Sequence, residues 1–215
     1  MSRVTAALGG AVTKAIGRFD YAAEMKNASL SSRPRAWDAG EVGFAHPTFS
    51  TRFGFRPNAM WNLGFSASAG SYLLPDAAPT LPAGHGIGDY RQLVLAQDIS
   101  FAWHRVQVWA EFYEARFEVP VVGNADTFAY YIEAKYKFTP QLFGALRWNQ
   151  QLYATIRDDA GGDTRWGNNM WRTDTALGCR FTANAQIKLQ YSFQQEASAL
   201  HDFSHTLAGQ FTLKF

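Results

Sequence analysis

The sequence predicts an all-β fold, a transmembrane β-barrel of antiparallel, up-and-down strands, and three observations predict it. Apolar and polar residues alternate with period two along most of the 215 residues. The stretches between the alternating runs are by turns short and long. Within the runs, charged side chains gather on one side of the alternation. Successive side chains of a strand point to opposite faces, so this pattern separates two sets that a helix would mix.

The bulk numbers bound the reading. Hydrophobic residues make up 47% and aromatics 15%, which argues against disorder. The formal charge of +2 is too small to point to nucleic acid as a partner. Cys179 is the only cysteine, so no disulfide forms within the chain and a cysteine-rich metal site is excluded. No run is apolar enough for a spanning helix, which needs about 20 predominantly apolar residues. The mean hydropathy of −0.23 would fit a soluble protein. It fits a barrel equally well, because only every second residue of a spanning strand meets lipid.

Residues 1–17 form an N-terminal segment, read as a truncated strand or a short helix. Gly9, Gly10 and Thr13 interrupt its apolar run too often for a secretory signal. The barrel is expected over 18–215. Phe19, Tyr21, Ala23 and Met25 oppose Asp20, Glu24 and Lys26. Phe49, Thr51, Phe53 and Phe55 oppose Ser50, Arg52 and Arg56. Trp61, Leu63, Phe65 and Ala67 oppose Asn62, Ser66 and Ser68. Leu93, Leu95, Ile99, Phe101 and Trp103 oppose Asp98, Ser100 and His104. In 106–113, Val106, Val108, Ala110 and Phe112 oppose Gln107, Trp109, Glu111 and Tyr113, and aromatics on both sides leave the faces ambiguous.

The later strands are cleaner. Phe128, Tyr130, Ile132, Ala134, Tyr136 and Phe138 oppose Tyr131, Glu133, Lys135 and Lys137. Leu142, Leu146, Trp148 and Leu152 oppose Arg147, Asn149 and Gln151. Thr173, Thr175, Leu177, Cys179 and Phe181 oppose Arg172, Asp174, Gly178 and Arg180. Ile187, Leu189, Tyr191 and Phe193 oppose Lys188, Gln190, Ser192 and Gln194. Leu207, Gly209, Phe211, Leu213 and Phe215 oppose Thr206, Ala208, Gln210, Thr212 and Lys214. That makes about ten strands, each near the roughly 9–11 residues that cross a bilayer at a tilt.

Short turns are expected at 57–59, 104–105, 139–141 and 182–186, and long loops at 28–47, 73–89, 118–126, 157–169 and 197–202. Counted back from Phe215, every short turn falls on one side. Sorting of loops by length is the habit of outer-membrane barrels, with short turns periplasmic and long loops outside. Arg or Lys facing lipid at mid-membrane costs about 2–4 kcal/mol. The charged face is therefore the lumen and the aromatic-aliphatic face meets lipid. The candidate lining residues are Arg52, Glu133, Lys135, Arg147, Arg172, Asp174, Arg180 and Lys188. Two readings of them stand together: the wall of a water-filled pore with a weak preference for anions, or cross-strand pairs that stiffen the interior.

The units Tyr130-Tyr-Ile-Glu-Ala-Lys-Tyr-Lys-Phe-Thr-Pro-Gln-Leu142 and Leu177-Gly-Cys-Arg-Phe-Thr-Ala-Asn-Ala185, with the terminal Leu213-Lys-Phe215, carry a resemblance over about residues 18–215. The chain resembles the C-terminal part of porin-like outer-membrane proteins, of the kind grouped with phosphate-selective porins. Members of that group are longer, which implies upstream strands missing from this chain. The resemblance also implies that Phe211, Leu213 and Phe215 form an assembly signal for the barrel-assembly machinery. No phosphate-binding residues can be matched position by position.

Other motifs carry less. His201, Asp202 and His205 cluster near the outer end of the last strand without a nucleophile or third ligand nearby. Asp158, Asp159 and Asp163 lack the spacing and distal Glu of a calcium loop. Gly84-His-Gly-Ile-Gly88 lacks the ending of a phosphate loop. The resulting expectation is a bacterial outer-membrane channel for passive diffusion of small solutes or ions, without cofactor or metal and not an enzyme. Its partners would be outer-membrane lipid, the assembly machinery and the solute, and a homo-oligomer is compatible. A barrel enzyme acting on protein or lipid, and a purely structural barrel, are the alternatives.

Overall fold

Among the described residues, eleven strands pair in chain order into one antiparallel sheet, with a small hairpin inserted late in the series. The computed structural model describes residues 9–26, 47–73, 75–157, 162–197 and 203–213. The sheet comprises β1 (Gly9–Ile16), β2 (Phe19–Lys26), β3 (Thr48–Phe55), β4 (Trp61–Ser71), β5 (Arg91–Trp103), β6 (Val106–Val119), β7 (Gly123–Lys137) and β8 (Leu142–Tyr153). After the inserted pair β9 (Thr155–Arg157) and β10 (Asp163–Arg165), it continues with β11 (Met170–Arg180), β12 (Ala185–Glu196) and β13 (Phe203–Leu213). Two short 3-10 turns, Pro75–Thr80 and Ile87–Asp89, lie between β4 and β5.

Three features differ from the sequence expectation. Residues 9–16, where strand and helix were both open, are a strand paired with β2 from Gly9↔Lys26 to Ile16↔Phe19. Its turn, Gly17-Arg18, places Gly17 at φ 60, a conformation glycine adopts without steric cost. Second, the long loop expected at 118–126 is absent. β6 and β7 stay paired out to Val119↔Gly123, joined only by Pro120, Val121 and Val122. Above a bilayer both faces of a hairpin are wet, so polarity at Glu118, Asn124 and Asp126 does not mark a strand end. Third, the 157–169 loop contains part of a hairpin, β9 with β10. The expected loop residues 28–46, 158–161 and 198–202, together with Lys214 and Phe215, lie outside the described residues.

Directly opposed residues share a face, so the register carries the face assignment across the sheet. One row runs Asp20, Gly54, Gly64, Asp98, Glu111, Tyr131, Asn149, Arg172, Gln194, Ser204. The next row along the strands runs Tyr21, Phe53, Phe65, Gln97, Phe112, Tyr130, Gln150, Trp171, Gln195, Phe203. The ambiguity of β6 is thereby resolved. Ala110 lies opposite Ile99 and Ile132 on the apolar face, and Glu111 opposite Asp98 and Tyr131 on the polar one. Leu146 on the apolar face is 54% exposed, while Asp174 on the polar face is 8% exposed. The polar face is the shielded, inner one; the apolar face looks outward.

The outer face is built for a bilayer. At the short-turn end Phe19 stacks on Phe55 at 4.8 Å, and Trp61 packs on Phe101 at 4.7 Å. Toward the long-loop end Trp171 meets Phe193, and Phe193 stacks on Phe203. There the polar tips of aromatics find partners: Tyr130 donates to Gln150 at 2.7 Å and Trp171 Nε1 to Gln195 at 3.0 Å. Such rings with one wet end belong at membrane interfaces. Phe211 and Leu213 are on this face, opposite Ile187 and Ala185. Lys14 is an exception on the outer face, opposite Tyr21 near the β1–β2 turn, where a long side chain can reach the interface.

The outer face of β6 also marks where the bilayer ends. Val106, Val108, Ala110 and Phe112 are followed on the same face by Glu114, Arg116 and Glu118. The apolar part covers about 20 Å of strand, close to the ~25 Å apolar band of such barrels. The rest of the β6–β7 hairpin therefore rises above the membrane.

Candidate functional site on the inner face

The inner face is a set of fixed charge pairs. Asp98 and Glu111 are direct cross-strand neighbours, a destabilising arrangement for like charges unless compensated. Compensation is present on both. Arg52 forms a two-point contact with Asp98, one arm at 2.9 Å, and Glu111 accepts the Tyr113 hydroxyl. Gly64 stands between Arg52 and Asp98, where a Cβ would collide with both side chains. On the next strands Arg147 Nε donates to Glu133 at 2.6 Å, and its guanidinium lies 4.5 Å from the Tyr131 ring. Arg172 Nε donates to Asp174 at 2.7 Å, while Asn149 donates to the other Asp174 oxygen at 3.0 Å. Asp20 and Arg56 complete the series near the short turns.

Lys135, Lys137, Arg180 and Lys188 are different. Among the described residues none of them takes part in an ion pair. They lie together on the inner face of β7, β11 and β12 near the short-turn end. Lys188 is opposite Gly178, which is opposite Phe143, which is opposite Lys137. The Lys135 ammonium sits 4.0 Å over the Phe143 ring.

The two walls differ in bulk. On β3 and β4 the inner positions Ser50, Gly54, Gly64, Ser66 and Ser68 are small, and a cavity of 620 Å³ opens beside Arg52, Asp98, Glu111 and Tyr113. On β6 and β7 they include Trp109, Tyr113 and Tyr131. At the mouth, aromatic contacts tie two connections and the end of β8 to the rising hairpin. Tyr72 packs edge-on against Phe117, Phe117 against Trp166, and Trp166 against Tyr153. Trp166 Nε1 donates to the Asp126 carbonyl at 2.6 Å, and the Tyr72 hydroxyl to the Glu118 carbonyl at 3.1 Å.

All eight residues predicted from the alternation, Arg52, Glu133, Lys135, Arg147, Arg172, Asp174, Arg180 and Lys188, lie on this one face. The structure joins Arg52 to Asp98, Glu133 to Arg147 and Arg172 to Asp174, and among the described residues Lys135, Arg180 and Lys188 form no ion pair. Sequence reasoning gave no role to Trp109, Tyr113 or the Tyr72–Trp166 cluster. Period-two alternation could have flagged the first two, since both are aromatic at inner positions. His205 is on the outer face, 2.7 Å from the Tyr191 hydroxyl. His201 and Asp202 lie outside the described residues. Among the described residues, no group of three or more His, Cys, Asp or Glu side chains could hold a metal ion.

No protein-family model and no curated protein sequence matches the chain. Solved structures do. An anion-selective porin from Comamonas acidovorans superposes with a TM-score of 0.63 at 8% identity, over 94% of this chain and 55% of that one. OmpF of Salmonella typhi, in complex with daunomycin, gives 0.63 at 12% identity, over 95% and 61%. OmpT, an outer membrane protein of Vibrio cholerae, gives 0.61 at 9% identity, over 95% and 62%. The chain thus spans a little over half the length of these proteins. Its fold is that of a bacterial outer-membrane β-barrel of the porin type, and the outer-membrane bilayer is the solvent its outer face is built for.

Proposed function

We propose that the protein is a porin-like channel of the bacterial outer membrane, passing small solutes or ions by diffusion, without cofactor and without a chemical step. The observation that carries this reading is the inner row from Asp20 to Ser204, which holds polar side chains and two glycines and no aliphatic one, backed on the other face by a row of aromatic rings and glutamines. A wall of that kind encloses water on one side and faces lipid on the other. The polar carboxylates are engaged by Arg52, Arg147, Arg172 and Tyr113 rather than set beside a nucleophile, which favours a channel over an enzyme.

Any ion preference is mild and favours anions. Paired charges largely cancel, and at physiological salt fields fade over about 8 Å. The bias then comes from the unpaired Lys135, Lys137, Arg180 and Lys188, since charged rings tune which ion enters a water-filled pore. The test is a planar-bilayer measurement on the full-length protein under a salt gradient. Neutralising these four together should move the reversal potential toward cation preference. Neutralising Glu133 and Arg147 as a pair should leave it nearly unchanged. Absence of conductance rejects the channel; an unmoved potential rejects the anion preference alone.

A further inference from the structure

Large aromatic rings stand on the inner wall of β6 and β7; Arg147 lies over the Tyr131 ring and Glu111 accepts the Tyr113 hydroxyl, but among the described residues no ion pair covers the Trp109 ring or the face of the Tyr113 ring. Trp109 lies between Ser100 and Glu133, Tyr113 between Ala96 and Ala129, and Tyr131 between Glu111 and Asn149. The strands on either side thus offer no large apolar neighbour, and Tyr113 remains 38% exposed. Among the described residues none of the three has an aromatic ring partner, whereas Phe19, Trp61, Trp171 and Phe193 on the outer face each have one. Rings that merely filled an interior would interdigitate with other side chains.

Their spacing is regular. On β6, Trp109, Tyr113 and Phe117 recur every fourth residue, about 13 Å apart along the strand. Tyr131, opposite Glu111, occupies the level between the first two. The series leads from the Tyr72–Phe117–Trp166 cluster at the mouth down the wall. Beside it stand Arg52–Asp98 on one flank and Arg147–Glu133 and Arg172–Asp174–Asn149 on the other. Each is a fixed donor–acceptor set with its charge compensated, so it can hydrogen-bond a neutral hydroxyl without favouring either sign of ion.

We infer that this wall is a carbohydrate track, in which the rings of Trp109 and Tyr113 take the C–H faces of a sugar while the flanking ion pairs take its hydroxyls. A passing solute that is apolar on its ring faces and hydroxylated at its rim matches both chemistries at once. Simple ions use neither the rings nor the compensated pairs. The inference rests on the channel reading and names a solute class for it.

The test is block of ion current through the full-length protein in planar bilayers, with maltotriose as the probe. Maltotriose should close the current in a saturable manner, while a polyethylene glycol of similar size should not. Trp109→Ala and Tyr113→Ala should each weaken the half-blocking concentration about fivefold or more, measured against each variant's own open current. Trp109→Phe should keep most of the block. Saturable block that is lost in the alanine variants and kept in Trp109→Phe supports the track. Conductance untouched by maltotriose, or equally reduced by the glycol, overturns it and leaves the channel reading standing. Block by an uncharged aromatic solute in place of maltotriose overturns the carbohydrate assignment. Absence of any conductance removes the channel reading and the track with it.

Discussion

At the scale of single residues, neighbours in sequence meet opposite solvents. Leu146 is open to the outside, and Arg147 next to it is held by Glu133 on the inner face. Leu146→Arg should therefore impair insertion into bilayers by about 2–4 kcal/mol, measured by refolding into lipid vesicles. Arg147→Leu should be milder, and milder still when Glu133→Gln removes the carboxylate left unpaired. Equal damage from Leu146→Arg and Arg147→Leu would show the register to be wrong. Above the bilayer, Arg116 grips both oxygens of Asp126 at 2.8 Å. That two-point hydrogen bond holds the Asp126 carboxyl below its ordinary value of 3.8. A carboxylate with a lowered value stabilises the fold above the unfolded value, and loses that contribution as pH falls through the folded one. The protection of the hairpin amides, taken relative to intrinsic exchange at each pH, should accordingly fall only when pH drops below about 3.8. The effect is small because the pair is solvent-screened. Asp126→Asn should remove the pH step, and a variant that retains it would place the titration elsewhere.

At the scale of elements, the strands inside the membrane were legible from sequence and the parts above it were not. Alternation such as Ile187, Leu189, Tyr191 and Phe193 against Lys188, Gln190 and Ser192 records a choice between lipid and water at every residue. Beyond Phe112 that choice disappears, because Glu114, Arg116 and Glu118 are outer-face residues in water. The continuation of β6 to Val119 was hidden for that reason. β1 was obscured differently, by Gly9, Gly10 and two alanines that carry little contrast. The candidate wall was legible as a face, yet its pairing was not. Which of Lys135, Arg147 and Arg172 holds a carboxylate depends on register and rotamer, and neither is written in the period. The hairpin tip offers a test of its own. Val121 adopts φ 68 and is 84% exposed, a strained conformation for a β-branched residue. Val121→Gly should relieve the strain and stabilise the hairpin by up to about 1 kcal/mol, seen as slower exchange at the β6–β7 amides. Unchanged or faster exchange would mean that Val121 is held there by contacts worth more than its strain.

At the scale of the whole molecule, the sheet exposes apolar side chains to the outside and keeps its polar groups inward, the inverse of a soluble domain. The protein should fractionate with outer membranes, stay folded in mild detergent and give a β-type circular dichroism spectrum. Recovery as a helix-rich soluble monomer would contradict the architecture.

The count of eleven strands among the described residues also has a directional consequence. β1 and β13 each have one hydrogen-bonded neighbour among the described residues. In an up-and-down sheet with an odd number of strands, the first and last run the same way. Joining them to each other would demand a parallel seam in an otherwise antiparallel wall. A second copy with the same orientation in the membrane presents the same polarity at both its edges, so it meets the same obstacle. An antiparallel seam on both sides takes an odd number of intervening strands, whichever polypeptide supplies them. Five or seven would give the 16 or 18 of porins with an aqueous channel. Strand polarity, a property no single side chain carries, thus sets the arithmetic of closing the cylinder.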